Sequence, residues 1–267
     1  MKIITPTITK PLETNTVSPG VYLIGAGPGA ADLITVRGAR ILAKADIVFY
    51  DALIDMSMLD WCPCTKLVQV GKRCGAHSSS QHFINKQLVD AATKYPVVVR
   101  LKGGDPLIFG RAQEEIDALE KADLPYEIVP GITTALAASA QLKQPPTTRE
   151  TSRTVTLTTL PGRCSHDDHQ TAIYYMGRDQ LAEIADTLIA QGYAKNTPVC
   201  LMESVSLPTQ RSFACTLEEM QLGDVDQRFL NKQPVVVMVG EVYRKKLQTL
   251  TPLIESQINF NVIQEAS

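Results

Sequence analysis

Short apolar runs alternate with stretches of helical spacing along the first half of the chain. Residues 21–24 form an apolar run that stops at Gly25-Ala26-Gly27-Pro28-Gly29. A helix-like stretch at 33–43 follows, and a second run at 47–50 ends on Asp51. Residues 67–70 and 97–101 predict further strands. Between them Ser78 and Gln81 have the spacing of a capping box opening a helix to about residue 94. A helix is predicted at 114–122, a strand at 126–129 and an alanine-rich helix at 133–142. Strand, glycine turn, helix, strand opens a parallel α/β unit, and its repetition predicts helices packed on a mostly parallel sheet.

Gln144-Pro145-Pro146 breaks this pattern and is the candidate linker. Beyond it, residues 154–159, 172–176, 199–202, 211–216 and 234–239 predict strands, with one long helix at 180–191 that carries Leu181, Ile184, Leu188 and Ile189 on one face. The fold class is therefore α/β in two domains. A flexible tail over 1–19 precedes an N-terminal domain with a mostly parallel sheet at 20–143. A C-terminal domain with a mixed sheet occupies 144–246, and a polar tail at 247–267 is assigned no fold.

Composition narrows the function classes. Hydrophobic residues make up 44% and charged residues 20% of the 267, ordinary globular usage that excludes disorder and collagen-like repeats. Lys and Arg total 26 against 28 Asp and Glu, a net charge of −2, so the electrostatic footprint of a nucleic-acid binder is missing. No apolar run approaches the roughly 18 residues of a membrane span, and the Thr- and Pro-rich start lacks the apolar stretch of a secretory signal. Six Cys are too sparse for a disulfide scaffold, which predicts reduced thiols and a cytoplasmic, soluble protein. Cys62 and Cys64, and the group Cys164, His166 and His169, fit no standard metal spacing; a polar loop is the reading for the latter, and no metal is expected.

The stretch from Gly25 to Ala30 matches G-x-G-x-x-G/A after a strand, with Asp51 at about the distance of a ribose-binding acid. Pro28 opposes a dinucleotide site, because it has no N–H and a fixed φ in a loop whose donors should cradle a pyrophosphate. A nicotinamide or flavin site, a different adenosyl ligand and a plain strand-end turn all stand at this point. Gly103-Gly104-Asp105-Pro106 lies at the carboxyl end of a predicted strand, where open α/β sheets bind ligands and bare glycine allows close approach. Thr133 and Thr134 begin a helix, and Lys72 and Arg73 follow a strand end; taken singly these read as a cap and a solvated basic turn.

The order of the pieces is more specific than any one of them. GAGPG, FYD, VGKR, RLKGGDP with IFGR, VPGIT, TTR and YMG follow one another across residues 25–177. In this the chain closely resembles the tetrapyrrole methyltransferases, and within them the uroporphyrinogen-III C-methyltransferases of sirohaem and cobalamin synthesis. The resemblance implies two α/β domains with a ligand cleft between them, S-adenosylmethionine (SAM) as methyl donor, S-adenosylhomocysteine as product, a polycarboxylate tetrapyrrole substrate and a homodimer. It places donor contacts at Pro28, Gly103, Gly104, Asp105, Ile108, Thr133, Thr134, Met176 and Val205. It places the proton acceptor at Asp51 and its cationic partner at Lys72. Substrate carboxylates call for clustered cations, for which Arg111 and Arg149 are the candidates beside Lys72, with Arg153 behind them.

The chain departs from the family at four sites. Ala52 stands where an arginine is usual, Ala112-Gln113 replace two glycines, Thr148 replaces a histidine, and Leu160-Pro161 replace Gly-His. Most of these changes fall on the substrate side. They predict an intact donor pocket beside a weakened or redirected tetrapyrrole site, with a different precorrin substrate or a non-catalytic SAM-binding role as alternatives.

Overall fold

The first sheet holds β1 (Gly20–Gly25), β2 (Ile47–Asp51), β3 (Lys66–Val70), β4 (Val97–Lys102) and β5 (Tyr126–Val129) in the order β3-β2-β4-β1-β5. Every pairing in it is parallel. The structure is a computed structural model and describes residues 16–62, 66–71, 81–160, 162, 170–223, 225, 229 and 233–250. Parallel strands are covered on both faces, which is why β1 and β4 read as nearly continuous apolar runs. On one face Ile24, Val48, Val99 and Leu101 pack with Ile41 and Leu42 of α1 (Val36–Leu42). On the other, Leu23, Phe49 and Val98 pack with Ile84 and Leu88 of α2 (Gln81–Ala92) and with Ile116 and Leu119 of α3 (Ala112–Lys121).

The second sheet holds β6 (Thr154–Thr158), β7 (Gln170–Tyr174), β8 (Pro198–Glu203), β9 (Arg211–Thr216) and β10 (Val235–Val239), ordered β6-β7-β10-β8-β9. β6 and β7 are parallel and the other three pairings antiparallel, so this sheet is mixed. α4 (Thr134–Leu142) lies on one face, burying Ala135, Ala138 and Leu142 against Ile173, Cys200, Met202 and Met238. This helix follows β5 directly and so ties the first sheet to the second. α5 (Leu181–Ala190) covers the opposite face through Ile184, Ala185 and Leu188, beside α6 (Leu217–Gln221). A reciprocal capping box starts α6: Glu219 N donates to Thr216 Oγ1 at 3.2 Å and Thr216 N to Glu219 Oε2 at 2.7 Å.

Some boundaries differ from the sequence reading. The stretch expected as a helix over 33–43 is a 3-10 turn at Ala31–Leu33 followed by α1, because the Thr35 hydroxyl accepts from Gly38 N at 3.1 Å and sets the helix start. A 3-10 segment at Met56–Trp61, started by Asp55 accepting from Ser57 N at 2.8 Å, was not anticipated. The last helix, α7 (Arg244–Leu250), runs past residue 247, to which the sequence reading assigns no fold; Leu247 and Leu250 are its only apolar residues and pack partly buried against the α4 side of the core, too few to show a period. Ser78 lies outside the described residues. Among them no helix is long and apolar enough to cross a membrane.

Candidate functional site

Three loops meet at the carboxyl edge of the first sheet, following the adjacent strands β4, β1 and β5. Gly27 N donates to Gly104 O at 3.1 Å and Gly104 N to Gly27 O at 2.7 Å, which staples the β1 loop to the β4 loop. Both residues have left-handed backbones, with φ of +82° and +67°, a conformation glycine adopts without a side-chain penalty. The β5 loop closes against them: a Cβ on Gly131 would lie 2.2 Å from the Gly104 carbonyl oxygen and 2.8 Å from Gly25 Cα. Asp105 ties the same loops through its carboxylate, Oδ2 accepting from Gly131 N at 2.9 Å and Oδ1 from Leu107 N at 2.8 Å. Gly103 is different. It is exposed, and a Cβ added there would meet nothing within 4 Å. The loop therefore presents bare backbone to open space above a glycine knot, a cradle that a side chain would fill and that suits the amino-acid portion of an adenosyl ligand.

The same geometry decides against a dinucleotide. A pyrophosphate needs free N–H groups at a helix N-terminus. Here Ala26 N donates to Lys102 O at 2.8 Å, Gly27 N to Gly104 O, and Ala30 N to Ser206 Oγ at 2.9 Å, while Pro28 has no N–H. α1 begins only at Val36.

The second half of the chain supplies the opposite wall. Gly29 sits so close to it that a Cβ would lie 2.7 Å from the Val205 carbonyl oxygen. The Tyr175 hydroxyl bonds the Thr133 hydroxyl and accepts from Ala135 N at 3.3 Å, and the Tyr175 and Phe109 ring centroids are 5.1 Å apart. Burial raises the Tyr175 pKa above the ordinary phenol value, with the bonds to Thr133 and Ala135 opposing it. Of the seven described non-glycine residues with positive φ, five lie here: Phe109, Arg111, Met176, Ser204 and Ser206. Such backbones are held in place only by their surroundings and concentrate at ligand sites.

The positions expected to contact the donor are thus brought together. Pro28 lies in the β1 loop, Gly103, Gly104, Asp105 and Ile108 in the β4 loop, and Thr133 and Thr134 at the start of α4. Met176 follows β7 and is 66% exposed, so its thioether is available for contact. Val205 follows β8 and is buried in the core beneath α4, so its backbone, not its side chain, faces Gly29.

Beneath this floor lies a group of charges that reading the sequence missed. Arg100 and Lys102 on β4 are both 3% exposed and share Glu115 of α3, which is 0% exposed. Arg100 also binds the Asp51 carboxylate at the end of β2, and Asp51 is 33% exposed. Burial by itself lowers the pKa of the Arg100 guanidinium, but Asp51 and Glu115 together outweigh it and hold the pKa above the usual arginine value. Lys102 is pushed below its ordinary value, by burial first and then by the charge of Arg100, with Glu115 offsetting part of this. The signal was present in the sequence: two cations at a spacing of two in an otherwise apolar strand need buried anions.

The substrate-side residues are more scattered. Lys72 and Arg73 lie outside the described residues, as do Cys64, Cys164, His166 and His169. Arg111 is 62% exposed and makes two bonds to Glu114, at 2.7 and 2.9 Å. Arg149 is exposed on the turn closed by Thr148 N donating to Ser152 O at 2.8 Å, and its carbonyl accepts from Arg153 Nε at 3.1 Å. Thr148, one of the departures, takes part in that turn: its Oγ1 accepts from Thr151 N at 3.1 Å.

Known proteins share this sequence and fold. The family profile described as Tetrapyrrole (Corrin/Porphyrin) Methylases matches residues 20–221. The chain is 42% identical over 236 residues to the uroporphyrinogen-III C-methyltransferase of Pseudomonas aeruginosa, covering 85% of this chain and 96% of that protein. It is 37% identical over 252 residues to the siroheme synthase of Zymomonas mobilis, covering 88% of this chain and 52% of the relative, so it spans about half the length of that protein. Its fold matches the crystal structure of the Thermus thermophilus uroporphyrin-III C-methyltransferase complexed with S-adenosylhomocysteine, with a TM-score of 0.72 and 33% identity over 84% of this chain and 93% of that one.

Proposed function

Since the chain belongs to the tetrapyrrole (corrin/porphyrin) methylases, we propose that it transfers methyl groups from SAM to carbon atoms of uroporphyrinogen III, giving precorrin-2. The observation that carries this reading is the open backbone at Gly103, set on a stapled glycine floor and walled by the second half of the chain. When bound, SAM supplies a sulfonium methyl group whose leaving group is a neutral thioether. What the protein must add is orientation of the attacking carbon and a place for the proton the substrate loses.

In this reading Gly103 and Gly104 admit the amino-acid portion of the donor, and Ile108 and Met176 make apolar contact with the adenine. Pro28, Thr133, Thr134 and the Val205 backbone complete the donor side, and Asp105 acts mainly by holding the β4 and β5 loops together. Asp51 takes the proton, steadied by Arg100. Lys72 is its cationic partner, and Arg111 and Arg149 pair with substrate carboxylates, Arg111 exchanging Glu114 for the ligand. A different precorrin-type tetrapyrrole is the second reading, favoured by Ala52 and Thr148, which stand where the family usually has an arginine and a histidine; Ala112 and Leu160 instead pack into the two cores.

The deciding experiment is anaerobic incubation with SAM and uroporphyrinogen III, followed by mass measurement of the tetrapyrrole. Two added methyl groups support the proposal. Unchanged substrate with normal S-adenosylhomocysteine binding moves the reading to another tetrapyrrole, and no binding of either molecule sinks it.

A further inference from the structure

β4 alternates Val98, Arg100 and Lys102 onto the face covered by α2 and α3, where a parallel strand ordinarily meets only apolar side chains. Glu115 occupies the matching place on α3, inside the apolar stripe formed by Ala112, Ile116 and Leu119. Its Oε1 accepts from Arg100 Nε at 3.0 Å, from Lys102 Nζ at 2.9 Å and from Gln81 Nε2 at 3.2 Å, and its Oε2 accepts from Lys102 Nζ at 2.9 Å. The guanidinium of Arg100 then extends beyond Glu115. Its Nη1 donates to the Leu101 carbonyl at 3.1 Å and its Nη2 to Asp51.

A guanidinium is a rigid planar fork. Once Glu115 and the Leu101 carbonyl hold Nε and Nη1, the direction of Nη2 is set, and with it the place of the Asp51 carboxylate. An aspartate at a strand end otherwise has a broad torsional well about its carboxyl group. Lys102 balances the charge, so that the two cations and two carboxylates sum to zero in a region closed to solvent except at Asp51. Buried ion networks are seldom more stabilising than well-packed apolar side chains, which leaves geometry as what this one contributes.

We propose that Glu115 is a positioning residue for methyl transfer, acting through Arg100 to fix the carboxylate of Asp51. The proposal rests on the reading of Asp51 as proton acceptor. Glu115 does not touch the ligand; its influence reaches the reaction through a guanidinium.

The test is a double-mutant cycle on the full chain, joining Glu115→Gln with Asp51→Asn. Single-turnover and steady-state methyl transfer from SAM to uroporphyrinogen III, S-adenosylhomocysteine affinity and thermal melting are measured for each protein. Asp51→Asn alone is expected to slow turnover about 100-fold, the usual worth of a positioned base. Glu115→Gln should slow it by about ten-fold or more, since small misplacements of a catalytic group cost rates of that order, while donor affinity and the KM for SAM stay within about two-fold. In the Asp51→Asn background the Glu115 change should add no further loss. Glu115→Asp, which keeps the charge balance and withdraws the carboxylate by one methylene, serves in the same cycle if the glutamine variant does not fold. Equal losses in both backgrounds, or full turnover in a folded Glu115 variant, overturn the positioning role alone. Full turnover in Asp51→Asn overturns the proton-acceptor reading and this proposal with it.

Discussion

Replacing Gly103 by valine separates binding from folding at the site. An added Cβ there meets no protein atom within 4 Å, and φ at this residue is not in the left-handed region. The folded protein therefore has no clash to relieve, and stability should stay within about 1 kcal/mol of the parent, with any gain coming from a stiffer unfolded chain. The two methyl groups would occupy the space into which the bare backbone opens. Dispersion contacts are optimal at about 3.5–4.0 Å between carbons, so a ligand resting on the glycine backbone must back away by more than an ångström or lose its place. We expect S-adenosylhomocysteine affinity to fall by at least about two powers of ten, or about 2.7 kcal/mol. Gly131→Ala is the contrasting control. Its Cβ would lie 2.2 Å from the Gly104 carbonyl oxygen, so backbone must move at a cost of about 1–3 kcal/mol. At about 2–4 °C per kcal/mol for a chain of this size, the melting temperature should fall several degrees. Calorimetric titration with S-adenosylhomocysteine and a thermal melt check both variants. Unchanged affinity in a folded Gly103→Val protein would refute the assignment of this loop to the donor.

Three further outcomes are expected. Tyr175→Phe keeps the ring against Phe109 but takes a partner from Thr133 and Ala135 N; calorimetry should show a loss of about 1–2 kcal/mol, and an unchanged melt would show that water replaces the hydroxyl. Burial raises the Cys200 thiol from 9.0 to about 12, so its contribution is complete below pH 9 and is lost as pH rises towards 12, where the unfolded chain gives up a proton that the folded chain keeps. The slope is about 1.4 kcal/mol per pH unit, and urea midpoints between pH 9 and 11 should fall less steeply for Cys200→Ala; parallel slopes would sink the idea. Arg111→Ala should change stability by no more than about 0.5 kcal/mol, because its bond to Glu114 is exposed. If Arg111 binds a substrate carboxylate, the same variant raises the KM for uroporphyrinogen III about ten-fold or more and leaves donor affinity alone; an unchanged KM removes it from the substrate site.

The elements of this chain were legible because their causes are local. The apolar runs of β1, β2 and β4, the strand at 211–216, the stripe on α5 and the glycine turn after β1 each depend on residues a few positions apart. Each motif between Gly25 and Gly177 is likewise a short local string, and their order along the chain pointed to the family before any contact was known. What failed locally had local reasons too: Thr35 caps α1 later than its hydrophobic pattern begins, and α7 has only Leu247 and Leu250 to show as apolar positions. Only the tertiary structure decided which loops meet. The Gly27–Gly104 staple, the Asp105 clamp on Gly131 and the bond from Ala30 to Ser206, 176 residues away, join segments separated by whole strands and helices. The charges of Arg100, Lys102 and Glu115 were visible as anomalies in apolar patterns. That they neutralise one another and end on Asp51 follows from β4 lying beside β2 under α3, because a buried charge is stable only where the fold brings its counter-charge within bonding distance.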